Sequence, residues 1–367
     1  MPEDEGSAGR GDEMSLAFVC SAATDDEHEA GVFTYSFDPA DGSLTRLSHT
    51  PLRRPMYLAV HPGGERLSVV NRPAGDADGQ VLTFAIDHAS GTLSLLSRRS
   101  SGGLGPCYVS VDAASRFVFT ANYAAGTVAM LPVESEGSVG PPSHVVKHDG
   151  SGELAGPQVE PHPHAAVPGP RNRFLYVPDL GLDRVVAYHI DAKAGRLDAA
   201  PARSVDLPPG AGPRHMEFGP DGESAFLVNE LNSTLTRLAV GADSGALSVE
   251  ATVSTLPPDE SASDCPAADV HVHPSGRWVF ASNRGHDSIA TFAVADGELK
   301  LVGHEPTRGR KPRDFSLGPT GRWLLVENRD SHRIRSFSVY AETGSLSARD
   351  DETAVGKPTC AVVLPRE

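Results

Sequence analysis

The residues best suited to chemistry lie between Pro213 and Glu230, a stretch that places Arg214 and His215 near one end and Glu230 at the other. A guanidinium fork can hold a carboxylate, a phosphate or a developing oxyanion. A carboxylate can position or activate water, and an imidazole can carry a proton near neutral pH. These groups can act together only if the two ends meet. The intervening sequence brings that about: Arg214 to Phe218 alternates as a strand, Gly219-Pro220-Asp221-Gly222 carries turn chemistry, and Ala225 to Val228 reads as the returning strand. Arg214 and Glu230 are therefore expected side by side at one end of a hairpin. A solvated surface ion pair would have the same local pattern and would contribute little, so the rest of the chain has to decide.

The rest of the chain repeats. A turn of the form acidic or small residue, Gly, any residue, Leu or Val recurs at Gly42, Gly91, Gly137, Gly195, Gly245, Gly297 and Gly344. A proline opening an alternating strand recurs with the same period at Pro55, Pro106, Pro163, Pro213, Pro266, Pro312 and Pro358. Each period holds about four short strands, which is the signature of a propeller blade and not of a helical repeat. The last unit supplies only a first strand, Pro358 to Leu364, and Leu16 to Ser48 supplies three. The chain therefore predicts an all-β, seven-bladed β-propeller with four antiparallel strands per blade, closed by pairing the C-terminal strand with the N-terminal blade. Closure also removes the exposed sheet edges. Residues 1–13 read as a disordered acidic tail, with Met14 a candidate start, and 14–367 as a single propeller.

In such a ring, the residue after each proline and the residues ending each second strand should meet at one end of the axis. The first set is Met56, Cys107, His164, Arg214, Ala267, Arg313 and Thr359. The second is Asn71-Arg72, Asn122-Tyr123, Pro178-Asp179, Asn229-Glu230, Asn283-Arg284 and Asn328-Arg329. His164, Arg214, Glu230 and Arg284 come from three adjacent blades and form the candidate catalytic set, able to open a cyclic ester on an anionic substrate. His162, His215, Asn229, Asp179 and Arg72 are candidate substrate-binding neighbours. The recurring asparagines otherwise read as turn caps that bond their own backbone. His162 and His164 alternate and could join His215, or His271 and His273, around a metal. The four catalytic candidates supply charge and proton transfer without one, so no metal and no cofactor is expected. His273, ahead of Pro274 in a turn, is expected at the surface.

Composition excludes several classes. With 48 acidic against 32 basic residues the formal charge is −16, which disfavours nucleic acid. No run approaches the roughly 18 apolar residues that cross a bilayer, so no membrane association is expected. Only five of the basic residues are lysines, which hints at salt adaptation. Cys20, Cys107, Cys265 and Cys360 are widely spaced with no CxxC, which suits reduced thiols in a cytoplasm. The expected state is a monomer or a weak homo-oligomer. No GxSxG or phosphate-binding loop is present.

Several stretches taken together resemble the lactonase family of seven-bladed propellers, which includes bacterial 6-phosphogluconolactonase and fungal carboxymuconate cyclase. They are Pro161-His-Pro-His164, Leu175 to Gly181 with Asp183-Arg184, Gly212-Pro-Arg-His215, Val228-Asn-Glu230, Ala281 to Ile289, and Lys311-Pro-Arg-Asp-Phe315. The resemblance covers the chain after Met14. It implies a metal-free site of one His, two Arg and one Glu, matching His164, Arg214, Arg284 and Glu230, and it implies hydrolysis of a small anionic lactone such as 6-phosphogluconolactone. The alternatives are a lactonising cycloisomerase and a non-catalytic binding platform. Glu327 and Arg329 depart from the family pattern, where small or uncharged residues are common, and Arg72 adds a further charge to the rim.

Overall fold

The computed structural model describes residues 14–25, 27–73 and 78–364; the expected tail over 1–13 lies outside them. Seven antiparallel sheets stand around a central axis. Numbering blades by their innermost strands, blade 1 begins at Pro55–Val60, blade 2 at Pro106–Val111, blade 4 at Pro213–Phe218, blade 5 at Ala267–Val272 and blade 6 at Pro312–Leu317. Blade 3 has a short inner strand, Val167–Pro168, extended by a bridge between Pro163 and Asp179. Blade 7 is assembled from both ends of the chain, because Pro358–Leu364 pairs with Ser15–Ser21, which pairs with Gly31–Phe37 and then Leu44–Pro51. Neighbouring blades touch through their two inner strands all the way round, so the ring closes. Among the described residues there is no α-helix, only two short 3-10 turns.

The sequence folds this way because each second strand is sandwiched between two other blades. In Phe117–Asn122, Ser224–Asn229 and Phe174–Asp179 every residue is buried, and short runs rich in Phe, Val and Ala fill both faces. Seven hydrophobic clusters result, one in each gap between blades; that between blades 3 and 4 joins Tyr176 and Val185 to Met216, Leu227 and Leu238. Fully burying such a side chain contributes about 1.5–3 kcal/mol, so the gaps, more than the blades, carry the stability. Outer strands face water on one side and alternate accordingly, as in Leu247–Ser254.

One recurrent irregularity sets up the axis. The opening proline pairs with the last residue of strand two, Pro55 with Asn71, Pro106 with Asn122, Pro213 with Asn229 and Pro312 with Asn328. The register then slips by one residue. The extra residue of this bulge is Met56, Cys107, Arg214 or Arg313, and a bulge re-aims the side chain it carries. In blade 5 Ala267 takes the proline's place opposite Asn283. The frame there is shifted by one from the expectation, and Asp269 becomes the counterpart of His215. The hairpin of blade 4 turns as expected: Gly222, at φ 67°, donates its N–H to Gly219 at 2.9 Å, and Asp221 accepts from the N–H groups of Glu223 and Ser224.

Candidate active site

Three of the candidate catalytic residues form one ion bridge across blades 4 and 5. Arg214 Nε lies 3.1 Å from Glu230 Oε2, and Arg284 Nη2 lies 3.0 Å from Glu230 Oε1. Each guanidinium is also tied to backbone: Arg214 Nη1 donates to the Ala268 carbonyl of the next blade, and Arg284 Nη2 donates to Ala267 O at 2.8 Å. Glu230 is held from behind by its own N–H, which donates to Gly212 O at 2.7 Å. Arg214 is 1% exposed, whereas the Glu230 side chain keeps 19% of its surface. Only the carboxylate and the outer parts of the cations therefore face the channel. Burial works against the charge of Glu230, but Arg284 and Arg214 outweigh it and hold its pKa below the usual carboxylate value.

His164 is buried beside this bridge, and its Nδ1 has no hydrogen-bond partner. Burial, then the positive charges of Arg214 and neighbouring groups, push its pKa well down, so the imidazole is neutral. Its ring stands 5.1 Å from that of His215 and 5.6 Å, edge-on, from Tyr123. His215 donates Nδ1–H to Asp269 Oδ1 at 2.6 Å, and its Nε2 has no partner. Burial and Arg214 lower its pKa to about 4 despite Asp269. An imidazole neutral in this way donates to a carboxylate on one side and keeps a lone pair on the other.

A fourth cation joins the cluster. Arg313, the bulge residue of blade 6, forms no ion pair among the described residues, although Arg214, Arg284, Arg72 and Glu230 all act on it electrostatically. Burial, then Arg214 and Arg284, lower its pKa to about 9, which leaves it charged at neutral pH. Arg313 belongs to the axial set read from the sequence, but the catalytic candidates there come from three adjacent blades, 3 to 5, and Arg313 lies in blade 6. Tyr123, in the axial set but not among the candidate site residues, joins the wall as well. Its ring stacks on His162 at 4.2 Å and 4°, and burial, then Glu230, raise its phenol to about 12.

The binding candidates divide. His162 donates Nδ1–H to Tyr123 O at 2.9 Å and forms part of this wall. Arg72 bonds Pro106 O at 2.9 Å and Gly105 O at 3.2 Å, strapping blade 1 to blade 2 at the rim. Asp179 is fully buried and accepts from His148 Nδ1 at 2.6 Å and from the N–H groups of His162 and Gly181. Its carboxylate braces the segment that carries His162 and His164 and presents no free oxygen to a substrate. Asn229 is 1% exposed and donates Nδ2–H to Thr234 and Thr236 Oγ1, a sheet contact and not a ligand contact. Its counterparts Asn122, Asn283 and Asn328 donate to Ser101, Thr255 and Thr307 carbonyls, in the segments entering their blades. They staple successive blades and do not cap their own turns. His273 is buried, not at the surface, and bonds Ser275 Oγ at 2.8 Å.

With this geometry in view, comparison with known proteins is decisive. Residues 18–363 match the family model described as lactonase, 7-bladed beta-propeller. The chain belongs to that family. It is 33% identical to the 6-phosphogluconolactonase of Bacillus subtilis, over 91% of this chain and 94% of that protein. It is 32% identical to the periplasmic gluconolactonase of Pseudomonas aeruginosa, whose structure covers 96% of this chain and 99% of its own with a TM-score of 0.89. A Bacteroides fragilis structure, 30% identical, gives a TM-score of 0.90 over 98% of this chain and all of its own. No helix among the described residues is long and apolar enough to cross a membrane.

Proposed function

We propose that this member of the lactonase family hydrolyses a phosphorylated sugar lactone, 6-phosphogluconolactone, to the open acid in the cytoplasm. The observation that carries the reading is Arg313: an unpaired guanidinium beside an Arg–Glu–Arg bridge, in a chain of net charge −16. Around the axis Arg284, Arg214 and Arg313 act on one carboxylate, Glu230, a surplus of two positive charges that a phosphate or carboxylate would balance. Four cysteines, all buried and unpaired, fit a reducing compartment.

In this mechanism Glu230 stays ionised and orients the attacking water, since two guanidinium groups make it a weak base. His164, neutral and with a free nitrogen, takes the water's proton as the oxygen bonds to the lactone carbonyl carbon. Arg284 receives the developing oxyanion while Arg313 grips the distant anion. When the ring C–O bond breaks, His164 returns the proton to the departing alkoxide. Removing a donor aimed at an oxyanion costs about a hundredfold or more in rate.

The test compares 6-phosphogluconolactone with unphosphorylated gluconolactone by following acid release, for wild type and Arg313→Ala. The expected result is a KM raised about tenfold or more for the phosphorylated lactone alone, with kcat little changed. Equal effects on both lactones, or no turnover of either, would overturn the reading. Turnover of carboxymuconate instead would favour the cycloisomerase.

A further inference from the structure

Further down the channel lies a second group of side chains that the proposed chemistry does not use. Asp269 reaches from blade 5 towards both neighbouring blades: its Oδ1 accepts from His215 of blade 4 at 2.6 Å, and its Oδ2 accepts from the N–H of Phe315 in blade 6 at 3.3 Å. Asp314 precedes Phe315. His215, Asp269 and Asp314 each bring one donor atom to within 4.8 Å of the other two, and all three residues are buried. Glu327 is the direct cross-strand partner of Asp314, so both carboxyl groups leave the same face of blade 6. Glu327 is fully buried, and neither of its oxygens has a hydrogen-bond partner.

A carboxyl group with no partner for either oxygen is rare inside a protein. Here it stands beside two more carboxyl groups. No guanidinium or ammonium forms an ion pair with any of the three among the described residues; the imidazoles of His215 and His271 are the basic groups in contact, His271 at 3.4 Å from Asp269 Oδ2 and 2.8 Å from Glu217. Of the cluster, His215 and Asp269 line a cavity of about 260 Å³, together with Tyr57, Tyr108, Glu217 and His271. That volume holds several waters, enough to complete a coordination shell and to give an ion a way in.

We propose that His215, Asp269, Asp314 and Glu327 form a binding site for one divalent first-row cation, joining blades 4, 5 and 6 below the mouth. One imidazole and three carboxyl groups make an oxygen-rich set with a single nitrogen, which suits Mn²⁺ or Zn²⁺ better than Ca²⁺, whose shells are all oxygen, or Cu⁺, which seeks sulfur. His215 faces the carboxyl groups with Nδ1, 2.6 Å from Asp269 Oδ1, so an ion bound between them would take Nδ1 in its deprotonated form and leave the ring proton on Nε2. The ion would satisfy the orphaned Glu327 and tie three blades together.

The experiment uses the full-length protein, stripped with chelator and checked by elemental analysis, then titrated with Mn²⁺. Loss of the free-ion electron paramagnetic resonance signal reports binding, and a thermal melt reports stabilisation. One Mn²⁺ per chain is expected, with a melting temperature that rises as the site fills. Glu327→Gln and Asp314→Asn should each weaken binding about tenfold or more and abolish the rise. No saturable binding by folded wild-type protein would overturn the proposal. So would binding that both variants, with wild-type circular dichroism, leave unchanged, since the ions would then sit on the acidic surface.

Discussion

Arg214 and Glu230 sit 16 positions apart at the end of a hairpin where Pro213 pairs with Asn229, and their side chains meet at 3.1 Å with the arginine almost wholly enclosed. The pair is therefore not a solvated contact of the kind that contributes about 1 kcal/mol or less. Its carboxylate also faces Arg284 at 3.0 Å, so one residue keeps two cations compatible with burial. The proposed chemistry and the local stability share the same carboxylate.

Glu230→Gln is expected to lower turnover about a hundredfold and, in contrast to an exposed ion pair, to destabilise the fold by about 3 kcal/mol, because it strands the buried charge of Arg214. Kinetics and a chemical denaturation curve on the same preparation check both. Wild-type stability with lost activity would mean that Arg214 finds another partner.

His164→Gln should reduce kcat about a hundredfold while leaving KM within a few fold, because the neutral imidazole is assigned to proton transfer and not to grip. A change confined to KM would remove it from the proton path.

His61 offers a pH prediction away from the site. It is buried between Ser68 Oγ at 2.8 Å and Ser115 Oγ at 3.1 Å, and burial, then Arg66, lower its pKa to about 4. The unfolded chain takes up a proton at the ordinary histidine value of about 6.5 and the folded one does not, so the unfolded state binds more protons and stability falls as pH drops. The loss runs from about pH 6.5 to about pH 4 and reaches at most about 3 kcal/mol. His61→Gln should flatten that part of the curve of melting temperature against pH; an unaltered slope would show that His61 is not responsible.

Truncation after Gly356 removes the inner strand of blade 7, in which Cys360 pairs with Cys20 and Ala361 with Val19. The expected outcome is aggregation or loss of a single cooperative melt, since the deletion unpairs the edge of Ser15–Ser21 and opens two of the apolar gaps. A monodisperse truncated protein with the wild-type melt would refute the closure.

Turnover should survive exhaustive chelation at 25 °C, because the proposed reaction draws its charge from arginines and its proton transfer from His164. Activity lost on chelation and restored by one divalent ion would bring the metal into the reaction itself.

The periodic prolines and glycines were enough to determine the blade count, the four-stranded unit and the split seventh blade, because turn chemistry and strand alternation are local properties written once per repeat. The same register placed Arg214, Glu230, Arg284 and His164 at one end of the axis. What the sequence alone could not decide was which polar residues at that end are spent on the scaffold. Asn229 and Asp179 share the strand-end register of the site but turn to Thr234 and His148, and Arg313 shares the bulge with Arg214 but forms no ion pair among the described residues. Those distinctions depend on which side chains come within hydrogen-bond reach in the folded ring, from 5 residues away for Asn229 and Thr234 to 31 for Asp179 and His148. So does the meeting of His215, Asp269, Asp314 and Glu327 from three blades. Only closing the ring brings such groups together, and the one-residue bulge after each proline decides where each of them points.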